Sequence, residues 1–460
     1  MLLTIDIGTS TFKCAIWDYN GSRLKNTCVP LTINYRDGIK HETDPFQWQI
    51  AFEKCVKKTG ALKSVEAIVI SGNGPSLILV DKSGNPLVNA RLWLDRRAQK
   101  YQDCVSKIMG GFVDASFFLP KILYIKNEEN ENYDKTKYFL GCPEYLAFIL
   151  TGEAKNVFPC EGFDRWFWND GILEKLDLDK SKFPSFIKPG EQFGTLNAKA
   201  AKKYGFSQDI PVISGGPDFF ASILGSGVTK PGEICNRTGS SDGINLCVKV
   251  ALHDKRFMSY SHPVPPYWNL SGVINTTGKA IEWGCGLLGV KGYDEFFNLA
   301  AKSAGGSNGL IFTPYLAGER SPLRSKEAKA VFNGMGLSTC KADIANSILE
   351  GIGFAVNDVL KIMEESGGEA NRIHVTGGLC GSSFLNQIKA DITGKEVVEG
   401  EYRETELLGL AVIGSCYMGK YASFKEASQT IVKAKKIYKP NERNKDLYNN
   451  LFNNYRNILQ

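Results

Sequence analysis

Histidine is scarce in this 460-residue chain, and the four that occur, His41, His253, His262 and His374, are dispersed. The twelve cysteines are scattered from Cys14 to Cys416, and no two stand close enough for a Cys-x-x-Cys pair. That pattern argues against a zinc site and a disulfide scaffold, and fits reduced thiols in a cytosolic protein. No apolar run reaches membrane-spanning length, so no membrane association is expected. Met1-Leu2-Leu3-Thr4 runs straight into a strand pattern, leaving no basic leader for a signal peptide, and a cytoplasmic location is expected. Basic tracts are missing too. The net charge of +6 is spread along the chain, and runs such as Lys57-Lys58 and Lys202-Lys203 read as solvated helix faces, so no nucleic-acid partner is expected. Low-complexity segments and short-period repeats are also absent.

What is there is the composition of a globular protein, 43% hydrophobic and 23% charged, in a chain too long for one ordinary core. "LLTIDIG" reads as a strand broken at Gly8, "FKCAIWDYNG" as a second strand and "RLKNTCVPLTI" as a third, together an antiparallel meander. Helical periodicity follows in "PFQWQIAFEKCVKKTG", and "VEAIVISG" and "IPVISGG" read as buried strands. The second half repeats the theme. "GEICNRTGSS" begins a strand and turn, "KVALHD" and "YWNLSGVINTTG" continue as strands, and "KADIANSILEGIGFAVNDVLKIMEES" is a long amphipathic helix stopped at Gly367-Gly368. "RIHVTGG" is a further buried strand, and "SSFLNQIKADITG" a short helix. Strands alternating with helices make the class α/β. A composition shift at residues 226–234 predicts two domains, 1–228 and 229–460, with a ligand cleft between them.

Four glycine-rich turns stand at strand ends: "DIGTSTFK" (6–13), "NRTGSSDG" (236–243), "NTTGKAIEW" (275–283) and "VTGGLCGSS" (375–383). Glycine lets backbone N–H groups approach a phosphate, and Ser and Thr hydroxyls add donors. Four such turns, with acids at Asp6 and Asp218, read as a nucleotide phosphate site. "VISGGPDFFAS" (212–222) puts Asp218 at the mouth of an apolar strand, where it is either a turn residue or a catalytic base. Three motifs are weighed as decoys. "GCGLLG" (284–289) matches a dinucleotide fingerprint but follows Glu282-Trp283 on a helix, and reads as helix packing. "GVINTTGKA" is one residue too long for a P-loop and ends in Ala280. "GSSDG" (239–243) matches a nucleophile elbow centred on Ser241, with His374 as partner, which leaves a serine hydrolase as a distant alternative.

Taken together, these motifs resemble the FGGY family of carbohydrate kinases, from residue 2 to about residue 425. "IDIGTSTFK" resembles its first phosphate loop (Gly8, Thr9, Ser10), with Thr9 and Lys13 facing phosphate. "GIKHETDPFQW" and "LWLDRRA" match further segments, the latter at Trp93, Asp95 and Arg97. "GGPDFFAS" is similar to the block holding the catalytic base, which falls on Asp218. "TGSSDG" places Gly239 and Ser240 where the family has Gly-Thr-Ser-Gly. "GKAIEW" puts Gly278 and Glu282 under the adenosine, and "VTGGLCGSS" puts Gly377, Gly378 and Ser382 on the adenine-side loop. "PYLAGERSP" and "GMGLSTCKADIANSILEGI" resemble signatures of the second domain.

The resemblance implies two ribonuclease H-like domains of the actin-type ATPase superfold around an interdomain cleft. It implies transfer of the γ-phosphate of ATP to a sugar hydroxyl, Mg²⁺ ordered by Asp6 and Asp218, a small-molecule sugar partner and a homodimer. A substrate role falls on Gly74, Pro75, Trp93, Asp95 and Asp218. One departure bears on specificity: xylulose kinases carry Met-His where this chain has Gly74-Pro75, which is either a changed sugar contact or a plain tight turn. The expected substrate is a xylulose-like ketopentose, with another sugar, a polyol or gluconate as alternatives. A non-catalytic sugar-binding or regulatory relative is the alternative from another class.

Overall fold

In the computed structural model, which describes residues 1–60 and 62–459, the chain forms two compact units. One comprises Met1–Gly225 with Glu406–Ile431, the other Ser226–Thr405 with Val432–Gln460. The sequence pattern predicts one crossing, at 228/229. The difference lies in the helix Thr405–Tyr417, which is apolar around its circumference and packs with the first unit. A linear composition shift carries no signal of such a return. Among the described residues no helix is long and apolar enough to cross a membrane.

The first unit is built on β1 (Leu2–Ile7), β2 (Thr11–Trp17), β3 (Arg23–Pro30), β4 (Ala67–Gly72), β5 (Gln192–Thr195) and β6 (Pro211–Pro217), in the order β5-β6-β4-β1-β2-β3. β1-β2-β3 is the antiparallel meander read from the sequence, while β4 pairs parallel with both β1 and β6. β1 and β4 are buried along their whole length, which is why they read as unbroken apolar runs. Helices α1 (Phe46–Thr59), α2 (Phe118–Glu128), α3 (Cys142–Thr151) and α4 (Asp218–Gly225) complete the elements needed below.

The second unit repeats the plan with β7 (Glu233–Thr238), β8 (Asp242–Val248), β9 (Met258–Ser261), β10 (Trp268–Ile274), β11 (Arg372–Gly377), β12 (Glu396–Gly400) and β13 (Ala434–Tyr438). Their order is β9-β10-β8-β7-β11-β12-β13, again an antiparallel meander beside parallel strands. The architecture is the duplicated ribonuclease H-like α/β fold. Helices α5 (Gly278–Leu288), α6 (Gly292–Ala300), α7 (Lys341–Glu365) and α8 (Ser383–Thr393) flank the sheet. "KVALHD" is not a strand. The second strand of this meander is Asp242–Val248, directly after the glycine turn, and Val250 is exposed. "GCGLLG" lies in and just beyond α5, where Gly284 packs against Ile348 and Phe296, as expected for a packing motif.

Candidate active site

The ladder of the first unit sets Asp6 of β1 opposite Lys13 of β2 on one side and Ser71 of β4 on the other. Asp6 is 3% exposed. Its Oδ2 lies 3.7 Å from Lys13 Nζ, and its buried Oδ1 has no hydrogen-bond partner among the described residues. Burial pushes its pKa up from 3.8 to about 7; the Lys13 charge pulls it back, and the carboxylates of Glu406 and Asp218 push it further up. Three acids and a lysine therefore share one field. Among the described residues no group of three or more His, Cys, Asp or Glu side chains is placed to hold a metal ion.

Glu406 is the member that sequence reasoning missed. It sits in the first turn of the Thr405–Tyr417 helix, and its only local signal is a charge at the head of an otherwise apolar helix. Close packing seats that helix. A Cβ on Gly409 would meet the Ala221 carbonyl oxygen at 1.8 Å, and one on Gly215 would meet Leu410 Cδ2 at 2.0 Å. Gly216 takes φ +71°, a left-handed conformation suited to glycine, and its carbonyl accepts from Ser71 Oγ at 2.8 Å. Gly215-Gly216 thus let β6 turn straight into α4, whose first residue is Asp218. The two glycines serve the chain's own packing.

Around this acid group the predicted phosphate loop is a tight turn. Gly8 N–H donates to Thr11 O at 3.0 Å, and a Cβ at Gly8 would meet that same oxygen at 2.8 Å. The Ser10 carbonyl accepts from Leu31 N–H, and Thr9 Oγ1 accepts from Trp93 Nε1 at 3.0 Å, so a predicted substrate residue and a predicted phosphate residue touch. The neighbouring loop is held from below. Asn73 donates twice to Ile7 O, at 2.8 Å each, and buried Lys121 of α2 donates to the carbonyls of Pro75 at 2.8 Å and Leu92 at 2.7 Å. Gly74 faces open space, with nothing within 4 Å of a built Cβ.

Asp95 departs from its expected substrate role. It is fully buried, and its carboxylate accepts from His41 N–H at 3.0 Å and from the Arg97 guanidinium at 2.8–3.1 Å. Those hydrogen bonds outweigh burial and hold its pKa below the usual range. Asp95 fixes the segment carrying Trp93 and has no surface to offer a sugar.

In the second unit the turn after β7 rests on the start of α5. Gly278 N–H donates to Gly239 O at 2.9 Å, and Thr277 and Lys279 N–H donate to Ser240 O at 3.1 and 3.2 Å. A Cβ on Gly278 would meet Gly239 O at 2.4 Å. Beneath lies a buried polar cluster: Asp242 accepts from Thr277 Oγ1 at 2.7 Å, Asn236 Nδ2 at 3.0 Å and Lys389 Nζ at 3.2 Å. Nothing in the local pattern joins these residues, which come from four elements.

A cavity of about 330 Å³ opens beside this turn. Gly239, Ser240, Gly378 and Ser382, all predicted, line it. Gly377, Gly278 and Glu282 are not among its lining residues; Gly377 and Gly278 pack against the carbonyls of Thr238 and Gly239, and Glu282 accepts from the hydroxyl of the lining Tyr293 at 3.1 Å. Tyr293, Asp294, Phe297 and Arg403 also line the cavity and were not found from sequence. Tyr293 and Phe297 are stacked on α6, ring centroids 6.4 Å apart. The hydrolase alternative fails on position: His374 pairs in register with Cys235, well back along β7 from Ser241. Its Nδ1 is engaged with Ser226 O at 2.8 Å.

Comparison with known proteins agrees with this layout. A family model described as the N-terminal domain of the FGGY family of carbohydrate kinases matches residues 1–225. The C-terminal-domain model of the same family matches residues 240–418. A xylulose kinase of Staphylococcus epidermidis is 28% identical, over 100% of this chain and 96% of that protein. A gluconokinase of Bacillus subtilis is 26% identical, over 94% and 90%. The solved structure of a ligand-bound xylulose kinase from Lactobacillus acidophilus superposes with a TM-score of 0.88 at 24% identity, covering 100% of this chain and 98% of that one.

Proposed function

This chain belongs to the FGGY family of carbohydrate kinases, and from that membership we propose that it transfers the γ-phosphate of ATP to a hydroxyl of a xylulose-like ketopentose. The enzyme is a phosphotransferase acting on a sugar hydroxyl. The observation that supports the phosphotransfer reading is the acid group of Asp6, Asp218 and Glu406 with Lys13 beside the Gly8–Ser10 turn. Phosphoryl transfer needs positioning and charge stabilisation more than covalent chemistry. Asp218 accepts the proton of the sugar hydroxyl as its oxygen attacks the γ-phosphorus, and ADP leaves. Lys13 and the loop amides offset the charge that develops on the phosphoryl oxygens.

Mg²⁺ fits Asp6 and Asp218. The unpartnered buried Oδ1 of Asp6 and the excess of carboxylates suit a cation. Mg²⁺ prefers few carboxylates, because it keeps waters and takes phosphate oxygens. When bound, the ion supplies charge neutralisation on the nucleotide phosphates. Xylulose ranks first because xylulose kinases recur among the relatives; gluconate follows from the Bacillus subtilis relative. A cytoplasmic location belongs to the same proposal, and a homodimer rests on the family resemblance alone.

ADP release measured across xylulose, other ketopentoses, pentitols and gluconate tests the reading. Xylulose should give the highest kcat/KM, with weaker discrimination than a Met-His turn provides, because Gly74 has no side chain to offer a sugar and faces open space. Asp218→Asn should lower kcat by about 10²–10⁴ with ligand affinities nearly unchanged. A panel led by gluconate overturns the substrate assignment. No turnover of any member returns the chain to the sugar-binding alternative.

A further inference from the structure

Two segments far apart in the sequence wall the second-unit cavity, the turn at Gly239-Ser240 and the loop from Gly378 to Ser382. The loop runs straight into α8, which Ser382 caps, and Asn386 Nδ2 in the first turn of that helix donates back to Cys380 O at 2.7 Å. About two turns along α8 from its cap stands Lys389, fully buried. Its Nζ reaches to the other wall, donating to Asn236 Oδ1 at 2.7 Å and to Asp242 Oδ2 at 3.2 Å. Those two residues lie on β7 and β8, one on either side of the Gly239-Ser240 turn. Asp242 carries the connection further. Its Oδ1 accepts from Thr277 Oγ1 at 2.7 Å, and Thr277 N–H donates to Ser240 O at 3.1 Å. Asn236, Asp242 and Thr277 are as fully buried as Lys389.

We propose that the buried Lys389–Asp242 pair is a strut that holds the two loop walls of this cavity at a fixed separation, and that both residues position the nucleotide site without touching its ligand. The inference rests on reading this cavity as the ATP site and adds to that reading a pair of positioning residues. The physical reason lies in what a buried ion pair can and cannot do. It contributes little net stability, because the desolvation of both charges offsets their attraction. What it fixes is geometry, since neither charge can leave its partner while the site stays dry. Lys389 belongs to the helix that continues one wall, and Asp242 to the strand that continues the other. A shift of either wall would therefore strain the pair, and the glycine turns, which have no side chains to brace them, borrow their rigidity from beneath.

ATP titrated calorimetrically into the full chain, beside thermal melts of the same samples, separates positioning from stability. Lys389→Met keeps the length of the side chain and strands Asp242 as an unpaired buried acid. It should lower the melting temperature and weaken ATP by about tenfold to a hundredfold, the usual cost of losing a support behind a ligand site. The double variant Lys389→Met with Asp242→Asn leaves no charge unpaired and keeps an acceptor for Thr277. Its melting temperature should recover most of the loss, while ATP stays weakened because α8 no longer reaches the turn. Tyr455→Phe is the control: it breaks the buried Tyr315–Tyr455 hydroxyl contact of 2.6 Å in the same unit, and should lower the melting temperature with ATP affinity retained. ATP affinity at the wild-type level in the double variant, or an equal loss in Tyr455→Phe, overturns the strut while the ATP-site reading stands. A wild-type chain that binds no ATP overturns both.

Discussion

Asp6 holds its proton to higher pH than a solvated carboxylate because burial denies the anion water and two further acids add their fields. The consequence for stability has a definite sign. The folded state, with its pKa of about 7, binds this proton more tightly than an unfolded chain near 3.8. The stability it contributes is complete below the unfolded value and is lost as pH climbs through about 7. In ligand-free protein, Asp6→Asn should therefore be more stable than wild type at neutral pH, with the advantage vanishing toward pH 4, while turnover collapses. Glu406→Gln removes one of the fields and should move the wild-type step to lower pH. Thermal melts from pH 4 to 8 read both effects. Glu144 and Glu319 are also pushed up to about 7 by burial, so the quantity compared is the difference between variant and wild type. Parallel curves for Asp6→Asn and wild type would show that Asp6 is ionised throughout.

At the scale of elements, the glycine turns hold together because backbone meets backbone without an intervening side chain. α5 touches the turn after β7 through Gly278, whose absent Cβ is the condition of the Gly239 contact. Gly278→Ala should push the turn away, costing about 1–3 kcal/mol of stability as an overpacked contact does, and should raise KM for ATP with KM for the sugar unchanged. Gly286 on the same helix is the control. A Cβ there meets nothing within 4 Å, so Gly286→Ala should stabilise by about 0.5–1 kcal/mol through helix propensity alone. Equal effects of the two substitutions would mean that the Gly278 contact does not matter.

For the whole molecule, the telling feature is that the first unit is discontinuous in sequence. Its Glu406–Ile431 segment buries Leu407, Leu408, Leu410, Val412 and Ile413 at 2% exposure or less. It packs Gly414 on Val69 and Leu2, and Ser428 Oγ donates to Leu224 O at 2.7 Å. A fragment 1–228, cut where composition shifts, would leave the partners of that helix bare. Its melting temperature by circular dichroism should lie well below that of the same fragment with 406–431 joined through a flexible linker. Identical melts would remove the segment from the unit.

The sequence by itself determined the repeated strand and turn pattern, the long helix at 341–365, and the strand-end positions of Asp6, Asp218 and the glycine turns. These are local properties: side-chain periodicity marks burial, and glycine marks where the chain must turn or touch itself. The family resemblance also lay in contiguous motifs. Only the tertiary structure decided that Glu406 joins Asp6 and Asp218, that Asp95 is sealed by Arg97 and His41, and that Arg403 and Tyr293 share a cavity with Ser240. The same holds for Asp242–Val248 forming the strand expected at "KVALHD", because a short half-apolar stretch reads alike on either side of a turn until its partners fix the register. Proximity between residues far apart in the chain is set by strand register and helix seating, which many weak contacts fix together and no single stretch encodes.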